Sequence, residues 1–134
     1  MAIQLSVAYR NAMLDQFETT VSTSPKLEVF VGSAPANCGT ADSGTKLLSM
    51  TLPSDWLANA SSGSKALSGT WSVAAIATGT AGYFRIKDSS GTTVHMQGTV
   101  TATGGGGDMT LDNTSIATGQ TVTVTTFTIT APGV

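Results

Sequence analysis

The stretch Gln120–Thr130, QTVTVTTFTIT, decides the reading of this chain. Nearly every residue in it is β-branched or aromatic. Apolar side chains alternate with threonine, the pattern of a strand with one buried and one wet face. Val122 and Val124 share one parity, while Phe127 and Ile129 share the other. One extra residue near Thr125–Thr126, a β-bulge, brings all four onto the same face. The rest of the chain repeats this chemistry in short Thr- and Val-rich runs punctuated by Gly, Ser and Asn, which describes a scaffold of sheets.

Working back from that segment, KLEVFV at Lys26–Val31 reads as the first strand, with Leu27, Val29 and Val31 on one face. Residues 32–46 form a Gly/Ala/Ser-rich loop too long for a hairpin turn, and loops of that length usually carry function or contact another chain. Leu47–Leu52 is a short apolar strand stopped by Pro53. PSDWLANA, at Pro53–Ala60, fits one helical turn capped by Ser54, with Trp56 and Leu57 packing inward. Thr70–Ala77 places Trp71, Val73 and Ala75 on one side. Tyr83–Lys87 sets Phe84 and Ile86 against Tyr83, Arg85 and Lys87. A turn signal at Asp88–Gly91 then leads into Val94–Thr101, so these two strands form an antiparallel hairpin. Gly98 marks a bulge or a close approach. The glycines Gly104, Gly105, Gly106 and Gly107 are followed by the acidic, strand-like Asp108–Asp112 and lack the lysine and helix of a phosphate loop, so a flexible loop tip is expected. Met109–Leu111 is a further short strand.

The first twenty residues differ. From Ser6 to about Thr19 there is no Gly or Pro, and Leu5, Tyr9, Ala12, Met13 and Phe17 recur at helical spacing, with Val7 and Leu14 widening the stripe. Ser6 is placed to cap the start. The expectation is one amphipathic helix that covers an open face or end of the sheets, or an arm to a neighbouring subunit. The fold class expected is all-β: an antiparallel β-sandwich, jelly-roll-like or immunoglobulin-like, of about seven strands with one N-terminal amphipathic helix. Residues 1–134 read as a single domain, with 1–22 as helix or arm and 26–131 as the sandwich.

Composition bounds the function. Of 134 residues only 10% are charged, against roughly 25% in ordinary soluble domains, and the net charge is −2. Serine and threonine fill the gap, at roughly a quarter or more of the chain. A hydroxyl-coated surface repels its neighbours weakly and suits packing in an assembly. Six scattered basic residues are outnumbered by eight acids, which argues against nucleic acid as a partner. No apolar run approaches the ~20 residues that span a bilayer, so no membrane partner is expected. MAIQLSVAYRNAMLDQF lacks a basic leader and an unbroken apolar block, so synthesis in a cytoplasm is expected.

Little in the chain points to catalysis. Cys38 is the single cysteine, with no activating base beside it in sequence. His95 is the single histidine, on the expected solvent side of its strand, so any triad would depend on it. Asp88, Asp108 and Asp112 sit near turns, where capping explains them better than calcium. No cofactor, metal or catalytic residue is expected. Trp56, Trp71 and Tyr83 would supply a sugar-stacking face if they were exposed.

Four segments carry a resemblance: LSVAYRNAMLDQFETT, SPKLEVFVGSAPANC, GTAGYFRIKDSSGTTVHMQGTV and GGGGDMTLDNTSIATGQTVTVTTFTIT. Together they resemble a small protein common in tailed phages and prophages, encoded among virion morphogenesis genes. The resemblance covers nearly the whole chain but brings no active residues with it. It implies a virion component made in the bacterial cytoplasm, best matched by a capsid decoration or cement protein on the outer capsid lattice. The major capsid protein or other virion proteins are the implied partners, with a dimer or trimer of this chain plausible at symmetry axes. Tyr9, Met13 and Phe17 on the helix, Ala36, Asn37 and Cys38 in the long loop, and Gly104–Gly107 are the candidate contacts. The alternatives are a tail, head–tail or fibre-associated component, or a carbohydrate-binding β-sandwich module.

Overall fold

The computed structural model describes residues 3–134. It is a mixed fold: one N-terminal helix, α1 (Val7–Val21), and several β-sheets. The strands are β1 (Lys26–Val31), β2 (Lys46–Thr51), β3 (Ser64–Ala66), β4 (Trp71–Ala74), β5 (Gly79–Lys87), β6 (Val94–Ala102), β7 (Met109–Leu111), β8 (Ser115–Ile116), β9 (Thr121–Val124) and β10 (Thr128–Thr130). The main sheet runs β2-β1-β5-β6-β7, with β8 pairing the start of β5. β1 lies between β2 and β5, antiparallel to both, and the expected β5–β6 hairpin is present.

Two findings depart from the expected strand pattern. The β6–β7 pair is parallel, so the sheet is not wholly antiparallel. Among the described residues ten strands replace about seven: the final run splits into β9 and β10, and β3 and β8 form where the sequence marked no strand. The clearest case is the segment that opened the sequence reading. β3 and β4 pair with β10 and β9 in turn, and Leu67 N–H reaches Phe127 O between them, making one bent two-stranded ribbon. Its register slips by one between the two halves. Thr125 and Thr126 both face solvent, and Val122, Val124 and Phe127 are buried on one face with Ile129 packed beside them. The expected phase shift is there.

The ribbon and the main sheet share an apolar core. Leu27, Val29, Phe84 and Ile86 of the sheet meet Trp71, Val122, Val124 and Phe127 of the ribbon. Aromatic rings cross the core in sequence, with Phe17–Trp56 at 5.9 Å, Trp56–Trp71 at 6.1 Å, Trp71–Phe127 at 5.6 Å and Phe127–Phe84 at 5.6 Å. Both indole N–H groups are satisfied, by Ser22 O and Ser68 O, which removes the cost of burying them. Pro53–Ala60 is irregular rather than helical. Its Trp56 and Leu57 still point inward, held by the Leu57–Leu67 bridge and the Trp56 O bond from Ser68 N–H.

The helix is where expected, capped by Ser6 accepting Tyr9 N–H, but rotated from the expected face. Leu14 and Val21 are buried and Phe17 is half-buried, while Tyr9, Ala12 and Met13 face outward. The reason is polar. Arg10 is buried and donates from Nε and Nη2 to Ala131 O, at 3.3 and 3.0 Å. Its guanidinium lies where Gly63 lacks a side chain. Asn11 accepts Gly63 N–H, and the buried Lys65 ammonium bonds Asp15 and Glu18 at 2.7 and 2.8 Å. These anchors, rather than the apolar stripe, set the docking angle.

Candidate functional site

The face of the main sheet opposite the apolar core is lined by polar and charged side chains, and it is not wet. The alternation that sends Leu27, Val29, Phe84 and Ile86 to the core sends Glu28, Phe30, Tyr83, Arg85 and Lys87 the other way, and all five are buried. The cover is the long loop after β1. Residues 32–45 fold back across the sheet, and side chains of the sheet tie the loop down through its backbone.

Arg85 is the centre of this arrangement. Its Nε and Nη2 donate to Gln97 Oε1 at 3.1 and 2.8 Å, Nη1 to Thr40 O and Asp42 Oδ1 at 2.8 and 2.9 Å, and Nη2 to Asn37 O at 3.2 Å. These bonds use all five N–H donors of a guanidinium, so Arg85 has none left for a ligand. Gln97 passes the tie on by donating to Pro35 O at 2.8 Å. Tyr83 donates its hydroxyl to Ser43 O and accepts Ser43 N–H at 3.1 Å. The Tyr83 ring stacks on Phe30 at 4.8 Å, with the ammonium groups of Lys46 and Lys87 5.9 and 5.8 Å from the Phe30 centroid.

Three cations, Lys46, Arg85 and Lys87, share two carboxylates, Glu28 and Asp42. Lys87 Nζ lies 2.7 Å from Asp42 Oδ2 and 2.6 Å from Glu28 Oε1, and Lys46 Nζ lies 2.9 Å from Glu28 Oε2. Glu28 Oε1 takes no aligned hydrogen bond, so that contact is held by charge rather than direction. Burial pushes the Asp42 carboxyl up, but the hydrogen bonds and charges of Lys87 and Arg85 outweigh it and leave Asp42 below its ordinary value. Burial likewise pushes Lys87 down, and Asp42 and Glu28 outweigh that to hold it above the usual lysine value. The hollow beside this network, about 590 Å³, is lined by Cys38–Asp42, Arg85, Lys87 and Gly91–Val94. Its cations already face carboxylates, so the arrangement clamps a loop rather than presenting charge to a substrate.

The candidate contacts from sequence do not form one site. Ala36 and Asn37 are exposed and Cys38 is half-buried, all on the loop that Arg85 holds. Gly104, Gly105 and Gly106 are exposed at a turn after β6, where Gly107 N–H bonds Thr101 Oγ1. Phe17 faces Trp56 at the helix–core contact. Tyr9 and Met13 stand on the outward helix face, 59% and 38% exposed. Ile3, Val7 and Val134 are also exposed, close in sequence to the bond from Leu5 N–H to Gly133 O that holds the two chain ends together.

The other residues singled out in sequence have structural surroundings. His95 is half-buried near the register shift at Ile86/Lys87. Asp88 accepts Thr92 N–H, Ser90 Oγ and Thr93 N–H, which hold its carboxyl down at about 2, as expected of a turn cap. Trp56, Trp71 and Tyr83 are all interior. Among the described residues, no three His, Cys, Asp or Glu side chains converge as a metal cage requires. Comparison with protein-family models, curated proteins and solved structures returns no match.

The charged layer was missed from sequence, although two signals pointed to it. Glu28 sits between apolar neighbours in a strand, and Arg85 and Lys87 alternate with Phe84 and Ile86 in another. Opposite charges on the same face of adjacent strands, beside a long loop carrying Asp42, mark a covered polar face.

Proposed function

We propose that this chain is a structural component of a phage particle that acts by binding and not by catalysis, most simply a capsid decoration or cement protein on the outer head lattice. The observation that carries this is that α1 docks through polar anchors beside Leu14, Phe17 and Val21 and leaves part of its apolar stripe outside. α1 buries Arg10 and reaches Lys65 with Asp15 and Glu18, yet presents Tyr9 and Met13 to solvent. A helix whose only task is to cover its own sheet turns such residues inward, as α1 does with Leu14 and Val21. Val7, Tyr9, Ala12 and Met13 stand outside beside Asp15, Gln16 and Thr19, and we read that apolar portion as the part another surface covers.

The internal charge layer fits the same role. Five of the six Lys and Arg side chains are engaged within the fold, so the outer surface is left with few free positive charges. A rigid sheet with its long loop clamped suits a bridge between larger subunits, where many weak contacts add up over a symmetric lattice. We read the main sheet and the ribbon as the two halves of a β-sandwich, jelly-roll-like or immunoglobulin-like, and the chain as a dimer or trimer at the lattice axes. A tail, head–tail or fibre position would use the same outer face. A carbohydrate-binding module finds less support, because both tryptophans lie in the core.

The test is co-sedimentation of the purified chain with phage heads that lack it. Binding should persist at 1 M salt, where the Debye length is about 3 Å, and fall at least tenfold on replacing Tyr9 and Met13 with serine. Binding lost in salt but indifferent to that double replacement would overturn the assignment of the helix face.

A further inference from the structure

The main sheet and the ribbon leave a seam between two strand edges, and both edges carry unanswered backbone groups. On β6, Thr99 N–H turns away from β5 and bonds Asp108 Oδ2 at 2.9 Å, while Thr103 N–H bonds Leu111 O. Backbone direction alternates along an antiparallel strand, so Gln97 N–H and C=O point the same way as Thr99. β7 covers β6 only at Val100–Ala102. On β10, Phe127 O accepts Leu67 N–H and Ala131 N–H bonds Gly63 O, both on the β3 side. Thr128 and Thr130 therefore turn their N–H and C=O groups to the opposite side. Among the described residues, no backbone group answers Gln97, Thr128 or Thr130 on these edges.

A groove of about 290 Å³ lies between the two edges. Phe84, Met96, Phe127 and Ile129 line it together with Gln97, Asp108, Thr128 and Thr130, and Asp108 immediately precedes β7. Asp108 has no ion-pair partner among the described residues.

We propose that this seam binds an extended segment of a partner protein as an added strand. About three of its residues, spanning roughly 10 Å, pair with Gln97 on one side and with Thr128 and Thr130 on the other. One apolar side chain points onto Phe84, Met96 and Phe127, and a lysine or arginine meets Asp108. The charge requirement selects a different protein over a second copy. In this chain Arg10, Lys46, Lys65, Arg85 and Lys87 are engaged internally, and Lys26 sits within β1 bonded to Thr51. Among the described residues, no basic extended segment of its own is left to donate. This inference is independent of where the chain sits in a particle.

The test uses the full-length, isotope-labelled chain and the N-acetylated peptide Thr-Val-Thr-Val-Lys as probe, followed by amide hydrogen exchange. In the free chain, the Gln97, Thr128 and Thr130 amides should exchange at least about tenfold faster than those of Met96 and Ile129. Peptide at about 1 mM should slow those three by a similar factor. A peptide ending in glutamate should bind at least about fivefold more weakly, and Asp108→Asn should erase that preference. Thr128→Pro removes one outward N–H without touching the β3 bonds and should abolish the protection, with the melting temperature as a check on folding. Three results would overturn the proposal: edge amides already protected in the dilute free chain, protection that appears only as the chain itself is concentrated, or no peptide binding at about 1 mM.

Discussion

Asp42 Oδ1 lies 2.9 Å from Arg85 Nη1, although 43 residues separate them along the chain. That contact fastens the loop after β1 to a face of the main sheet that strand alternation alone would leave wet. The buried guanidinium, 1% exposed, donates to three loop oxygens, Thr40 O, Asn37 O and Asp42 Oδ1. Arg85→Met should therefore cost about 3–5 kcal/mol, because it leaves Asp42, Gln97 and two carbonyls facing a buried gap. Urea unfolding monitored by circular dichroism checks the magnitude. Limited proteolysis should show new cleavage at residues 36–42.

The same network contributes to the pH dependence of stability. Asp42 is lowered from 3.8 in the folded chain, so its contribution is present above that value and is lost as acid drives the pH through the lower folded value. Lys87 is raised above 10.5, so its contribution is complete below 10.5 and fades as the pH rises through the folded value. Melting temperature should form a plateau between these limits and fall on both sides. Asp42→Asn should remove this layer's share of the acid decline and lower the plateau.

Lys65 anchors the helix with an asymmetry that mutation can expose. The ammonium is buried, while Asp15 is largely exposed and Glu18 partly so. Removing both acids strands a buried charge, whereas Lys65→Met leaves two carboxylates that water can reach. The double variant Asp15→Ala/Glu18→Ala should be the less stable of the two. Its helix should loosen first, seen as a change in Trp56 fluorescence as Phe17 withdraws.

The phase shift in the ribbon predicts a sharp contrast between neighbours. Phe127→Ala opens the core between Trp71 and Phe84 and should cost about 3–5 kcal/mol. Thr126→Ala, one residue earlier on the solvent side, should change stability by less than about 0.5 kcal/mol. Equal effects would show that the parity of this strand is misplaced.

Much of this architecture was legible because apolar parity is a local property. The β5–β6 hairpin, the bounds of β1 and the common face of Val122, Val124, Phe127 and Ile129 follow from alternation and turn residues alone. The helix was found but turned wrongly. Its apolar stripe was weighed and its anchors were not, since Gly63, Lys65 and Ala131 lie far along the chain from Arg10, Asn11, Asp15 and Glu18. Distance in sequence also hid the charged layer, where Asp42 reads as a loop residue until the loop folds over Arg85. Pro53–Ala60 takes no helical turn, and its backbone is engaged instead by the Leu57–Leu67 bridge and the bond from Ser68 N–H to Trp56 O. Among the candidate contacts, the exposure of Tyr9 and Met13 follows from this turned helix, not from the stripe that first drew notice to them.

The central claim is that the outward face of α1 belongs against a larger assembly. The most direct measurement is absolute quantitation by mass spectrometry of this chain in phage particles purified from cells that express it. The account predicts a fixed ratio to the major capsid subunit, on the order of hundreds of copies per particle. Particles that carry none of it, with the chain found free as a monomer, would contradict the account.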